Sequence, residues 1–292
     1  MKKKIFMVLS AVTVLAMGVL VVACSKDSKT LNPNEEVVVE DVVSAPTLQK
    51  TNSAAEWAAF NSEIEKLNAK YLTLEALGRA KRVAKDSGDV TKKHEEIVKA
   101  DILGAVSGAL GNSGKGIWNI LGGAIIEGAI SSYLAWDGMN ENGCMIATNP
   151  LASIENLESD SLASIIGERH NILLQDMVSA NMDVTTMSNS ALLLDVTNRY
   201  ERLFGTLSDS LRVSFLSINL DCEYDLSVDI EQAVESYAEM VVVLNETQGL
   251  FYTEDYLAVI DTTFADSDEK IQLLAGVGTG YYSASLWEIE EP

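Results

Sequence analysis

Between Asp101 and Asp137 the chain is apolar, nearly uncharged and spaced by small residues one helical turn apart. Gly104 and Gly108, flanked by Ala105 and Ala109, lead into the turn-like Gly111-Asn112-Ser113-Gly114-Lys115. A second apolar run then carries Gly116, Ala124, Gly128 and Ser132 at multiples of four. Small residues at this spacing let two helix backbones approach closely. The pattern predicts a Gly-rich apolar helical hairpin over 98–137, packed through Gly104, Gly108, Gly116, Ala124, Gly128 and Ser132. Gly116 to Trp136 spans 21 residues with one ionisable side chain, Glu127, which is long enough to cross a bilayer. A carboxylate near the centre of such a span costs about 2.5–3.5 kcal/mol on insertion. We therefore expect a central hairpin of a soluble bundle with Glu127 at its rim, and conditional insertion as the alternative.

The remaining folded part, residues 52–292, reads as helical throughout. Ser53 with Glu56 forms a capping-box pattern, followed by Trp57, Phe60, Ile64, Leu67, Tyr71 and Leu74 at spacings of three and four. This predicts a helix over 53–86, stopped by Ser87-Gly88. Further helices are expected at about 159–180, 188–204, 229–244, 253–264 and 267–287. Their start signals are Asp160 or Ser161, Ser188, Asp229, Thr253, and Asp266 with Glu269. Arg212 to Tyr224 loses the helical period and stays ambiguous. The fold class expected is all-α, a multi-helix bundle around the central hairpin.

The patterns that invite a chemical reading fail on their spacing. Gly111 to Gly116 lacks the earlier Gly and the later Ser or Thr of a phosphate-binding loop, which leaves a hairpin turn. Asp221, Glu223, Asp225, Ser227 and Asp229 alternate as calcium ligands do, but Leu226 and Gln232 stand where the turn glycine and the bidentate carboxylate belong. His94 and His170 are the only two histidines, and neither sits in a paired metal-binding motif. His170 lies beside the apolar stripe Leu162, Ile166, Leu173 and Met177 and reads as a hydrogen-bonded core or boundary residue. No catalytic residue, metal or cofactor is assigned.

Charge narrows the partners. The formal net charge is -22, and Glu201 to Pro292 sets only Arg202, Arg212 and Lys270 against nineteen carboxylates. Such a surface disfavours nucleic acid and anionic head groups. The basic cluster Arg79, Lys81, Arg82, Lys85, Lys92, Lys93 and Lys99 reads as a solvated helix end.

At the N-terminus, Lys2, Lys3 and Lys4 precede the apolar run Ile5 to Val22 and the small residue Ala23, the form of a secretory signal peptide over 1–23. Leu20-Val21-Val22-Ala23-Cys24 resembles a bacterial lipobox. The resemblance implies that the Cys24 thiol is acylated by diacylglycerol and becomes the mature N-terminus. Residues 24–51, with Pro33, Pro46 and the acidic-aliphatic stretch Glu35 to Val43, then read as a flexible tether. Ser25-Lys26-Asp27 is similar to the short charged signal that sends some lipoproteins of diderm bacteria to the outer surface, so an outer-membrane location is expected. Cys144 and Cys222 remain as an even pair in an oxidising compartment and are expected to form a disulfide. The whole pattern resembles uncharacterised helical lipoproteins of gut-type diderm bacteria. The 98–137 segment resembles the glycine-zipper hairpins of small bacteriocins and pore-forming toxins. The function expected is a lipid-anchored envelope protein, held to the membrane through its N-terminal lipid, whose non-enzymatic helical domain binds a protein or surface ligand. The alternative is an antagonism protein that inserts its hairpin into membranes.

Overall fold

In the computed structural model, which describes residues 51–72, 88–113, 117–140, 146–148, 157, 162–220, 226–244 and 246–289, the chain is an all-α multi-helix bundle. Every described residue lies in the second of two units, Met1–Val43 and Ser44–Pro292. Helix α1 (Ala54–Tyr71) starts at the capping box: the Ser53 side chain accepts from the Glu56 backbone, and the Glu56 carboxylate accepts from the Ser53 backbone at 2.7 Å. Trp57, Phe60, Ile64 and Leu67 form its buried stripe. The Leu72 N–H donates to the Asn68 carbonyl and closes the last described turn, so the expected continuation over 73–86 lies outside the described residues.

Helices α2 (Gly88–Gly111) and α3 (Ile117–Asn140) share the most extensive interface in the bundle. They run antiparallel, since Asp101 meets Ser132 near one end and Gly108 meets Gly123 near the other. At Gly108 a Cβ would run into the Gly123 carbonyl, so only glycine permits this approach. Every residue from Ile120 to Ile130 of α3 is buried. Glu127 is therefore buried as well, at 6% exposure, and the expected rim position is corrected. The physical reason is that α3 is covered on several sides, by α2, by α4 (Leu162–Ser179) and by the short α6 (Asp209–Leu216).

The C-terminal helix α9 (Asp268–Leu286) is the second central element, packed on α2, α4, α7 (Val228–Val241) and α8 (Glu246–Thr263). It is buried continuously from Ile271 to Ser283, as a helix surrounded on all sides must be. Gly278 makes this possible on the α4 side, where a Cβ would meet the Ala163 carbonyl. Burying Leu273, Val277 and Leu286 contributes about 1.5–3 kcal/mol each. Trp287 then leaves the helix for a short strand, β2 (Trp287–Ile289), paired antiparallel with β1 (Ile146–Thr148) in the register Thr148 to Trp287.

Several helix starts fall at a serine near the acidic residue expected. Ser188 caps α5 (Asn189–Phe204) as expected, whereas Ser227 rather than Asp229 caps α7, and Ser267 rather than Asp266 caps α9. Ser208 caps α6, which settles part of the ambiguous stretch as helix; residues 221–225 lie outside the described residues. Thr253 does not start a helix. It sits inside α8, fully buried, where its hydroxyl shares a 2.8 Å hydrogen bond with that of Tyr237. Lys92, Lys93 and Lys99 lie in the first half of α2, so the helix-end reading fails for them; Lys99 instead pairs with Glu235 at 2.5 Å. Arg79, Lys81, Arg82 and Lys85 lie outside the described residues.

Candidate functional site

The polar residues of the interior gather where α2, α3, α4 and α9 meet. Asp101 of α2, Ser132 of α3, His170 and Asn171 of α4, and Ser283 of α9 are all fully buried. Asp101 stands on the same face of α2 as Gly104 and Gly108, at intervals of three and four residues, so the close packing that the glycines allow carries its carboxylate inside. Ser132 continues the Ala124 and Gly128 spacing on α3 and reaches Asp101 Oδ1. The second carboxylate oxygen accepts from the Ser283 hydroxyl and, at 3.2 Å, from the Trp287 indole N–H.

His170 extends this group into α4. Its Nε2 lies 3.0 Å from Ser132 Oγ, and its Nδ1 lies 2.9 Å from Asn171 Oδ1. The Asn171 amide donates to the Tyr282 carbonyl at 2.7 Å. Gly128 has no side chain to hold the His170 ring away: a Cβ there would stand 3.0 Å from His170 Cδ2. Burial pushes the Asp101 carboxyl up to about 7 against the pull of its three hydrogen bonds. Burial also holds the His170 imidazole down at about 4, opposed by Asn171 and Gly128. On α2, His94 is lowered in the same direction by burial, opposed by its hydrogen bond to the Ala284 carbonyl.

Ser132, His170 and Asn171 stand in the order of a nucleophile, a base and an orienting group. Their burial and the engagement of the Ser132 hydroxyl with Asp101 make them an internal polar junction. His170 is thus the hydrogen-bonded core histidine expected from its apolar stripe.

The other expected site residues fall in three groups. Gly104, Gly108, Ala124, Gly128 and Ser132 all lie in the α2–α3 contact region, with Gly104 facing Ser131 and the Glu127 carbonyl. Gly116, Cys24, Cys144 and Cys222 lie outside the described residues. Asn112 and Ser113 of the loop-like motif end α2: Asn112 Nδ2 donates to the Gly108 carbonyl at 2.9 Å, and the Ser113 hydroxyl donates to Asp268. Among the described residues, no group of three or more His, Cys, Asp or Glu side chains is arranged to hold a metal ion.

Asp101, Asn171, Ser283, Trp287 and the Gly278 contact were not read from the sequence as a unit. The one available signal was Asp101 itself, a charged residue in register with the glycine stripe. No protein-family model, no curated protein and no solved structure matches the chain.

Proposed function

We propose that the chain is a lipid-anchored protein of the bacterial cell envelope, held in the outer membrane through Cys24, with a helical domain that acts by binding a protein or surface ligand. The observation that carries this reading is Leu20-Val21-Val22-Ala23-Cys24 behind a lysine-led apolar run. Among the described residues, the grouping most like catalytic machinery, Ser132, His170 and Asn171, is buried and joins helices. The exposed surface would then hold the binding residues, and large apolar side chains do stand there, including Trp118, Leu194, Val213 and Phe251.

Cys24→Ala tests the anchor. The variant should incorporate no labelled palmitate and should leave the membrane fraction, and unchanged labelling and fractionation would end the lipoprotein reading.

The second reading, insertion of the 98–137 hairpin, is favoured by one observation. Ile117–Asp137 is long and apolar enough to cross a membrane. Within the fold, however, 72% of that apolar stretch is buried, so insertion would have to dismantle the α2, α4 and α6 contacts of α3.

A further inference from the structure

The donors and acceptors of the buried junction can be counted. The Tyr282 carbonyl only accepts, so Asn171 presents its amide nitrogen there and its oxygen to His170. His170 Nδ1 must then carry a proton. At the other end, Asp101 Oδ2 faces the Trp287 N–H, which only donates, and the Ser283 hydroxyl, so the carboxyl proton that can serve Ser132 is one on Oδ1. Between these fixed ends lie two hydrogen bonds, Oδ1 to Oγ and Oγ to Nε2, and Ser132 has one proton to give. A carboxylate beside a neutral imidazole would leave one of the two bonds without a hydrogen.

We propose that Asp101, Ser132 and His170 hold one shared proton in the native state and form a pH-sensitive lock. The lock closes α2, α3, α4, α9 and β2 together while the proton is held, and loosens them when it is lost.

Two arrangements satisfy the count. In one, the Asp101 Oδ1–H donates to Ser132 and Ser132 donates to a neutral His170. In the other, an imidazolium Nε2–H donates to Ser132 and Ser132 donates to a carboxylate. Burial favours the first, because it contains no charge. The Gly128 carbonyl draws the proton toward the ring. Loss of the proton leaves a buried negative charge and an open hydrogen bond at the meeting point of four helices. The elevated Asp101 carboxyl places that loss near neutrality.

Charged neighbours do not account for the behaviour, since burial and hydrogen bonds alone move both groups. Titratable side chains on the packed elements are engaged elsewhere. Glu235 of α7 pairs with Lys99, Tyr237 bonds to Thr253, and the Tyr282 hydroxyl meets Ser164. Glu127 of α3 is buried with its backbone carbonyl beside Gly104, and His94 lies two turns away on α2, near the Ala284 carbonyl.

Asp101→Asn provides the test, because an amide can donate to Ser132 while its oxygen accepts from Ser283 and Trp287, which mimics the protonated junction at every pH. Urea unfolding of the full chain and of this variant is compared from about pH 5 to 8. The unfolding constant of wild type relative to the variant should rise about tenfold per pH unit up to neutrality and then level off. A ratio independent of pH would overturn the lock. If the variant does not fold, 15N-histidine spectra of wild type decide, with only two histidines to resolve. His170 Nδ1 should stay protonated while Nε2 shifts as the proton leaves. A bare Nδ1, or an Nε2 signal unchanged over that range, would refute the proposal.

Discussion

At position 170 a histidine sits where water does not reach, and its charge state follows from that. The folded protein protonates it only near pH 4, whereas the unfolded chain does so near the ordinary value of about 6.5. Between these limits the unfolded state binds more protons, so this residue makes stability rise with pH across the window and contributes its loss below it. Asp101 has the opposite sign: the native state holds its proton up to about 7, so its contribution falls as pH rises from the usual carboxylate range. The two slopes offset one another in wild type. His170→Gln should unmask the falling slope, with stability relative to wild type decreasing by roughly 3 kcal/mol in all from about pH 4 to 6.5. Chemical denaturation at several pH values checks this, and a variant that keeps the wild-type profile would show that His170 does not titrate as a buried base.

Helix contacts in this bundle are made by backbones as much as by side chains. Gly108 lies against the Gly123 carbonyl, and Gly278 lies against that of Ala163, so α2–α3 and α4–α9 come closer than two ordinary helix surfaces could. Gly249 of α8 is different, because a Cβ there would meet nothing within 4 Å. Gly108→Ala should destabilise by about 1–3 kcal/mol or more, since the added methyl can be accommodated only by moving backbone. Gly249→Ala should be neutral or stabilising by up to about 1 kcal/mol, from helix propensity alone. Thermal or urea unfolding of the pair separates close packing from propensity, and equal effects would mean that the α2–α3 approach is wrong. The small-residue stripe 104, 108, 124, 128 and 132 was legible before the fold because it lies in one periodic stretch. The α9 counterpart was not, because Gly276, Gly278 and Gly280 alternate every two residues and point to different partners: Val106, Ala163 and Ile102.

For the whole molecule, the question is whether α3 stays in the bundle. Its apolar run suits a bilayer by length, yet Ile120 to Ile130 is already covered by protein, so membrane insertion would exchange one apolar environment for another while breaking the Asp101–Ser132–His170 junction. We predict that neither wild type nor Glu127→Gln releases dye from liposomes, and strong leakage by either would favour the inserting alternative. With Glu127 buried, its substitution is no longer expected to be neutral in stability, as a rim residue would be. The sequence by itself determined the helical class, the Ser53 and Ser188 starts, and the apolar stripes of α1 and the α2–α3 pair. These features repeat every three or four residues and are specified by neighbours along the chain. Only the tertiary structure decided that Asp101 and Glu127 lie inside, and that His170 bonds to Ser132 rather than facing solvent. Those outcomes depend on which helix covers which face. The partners of Asp101 are 31 to 186 residues away in sequence, beyond the reach of any local pattern.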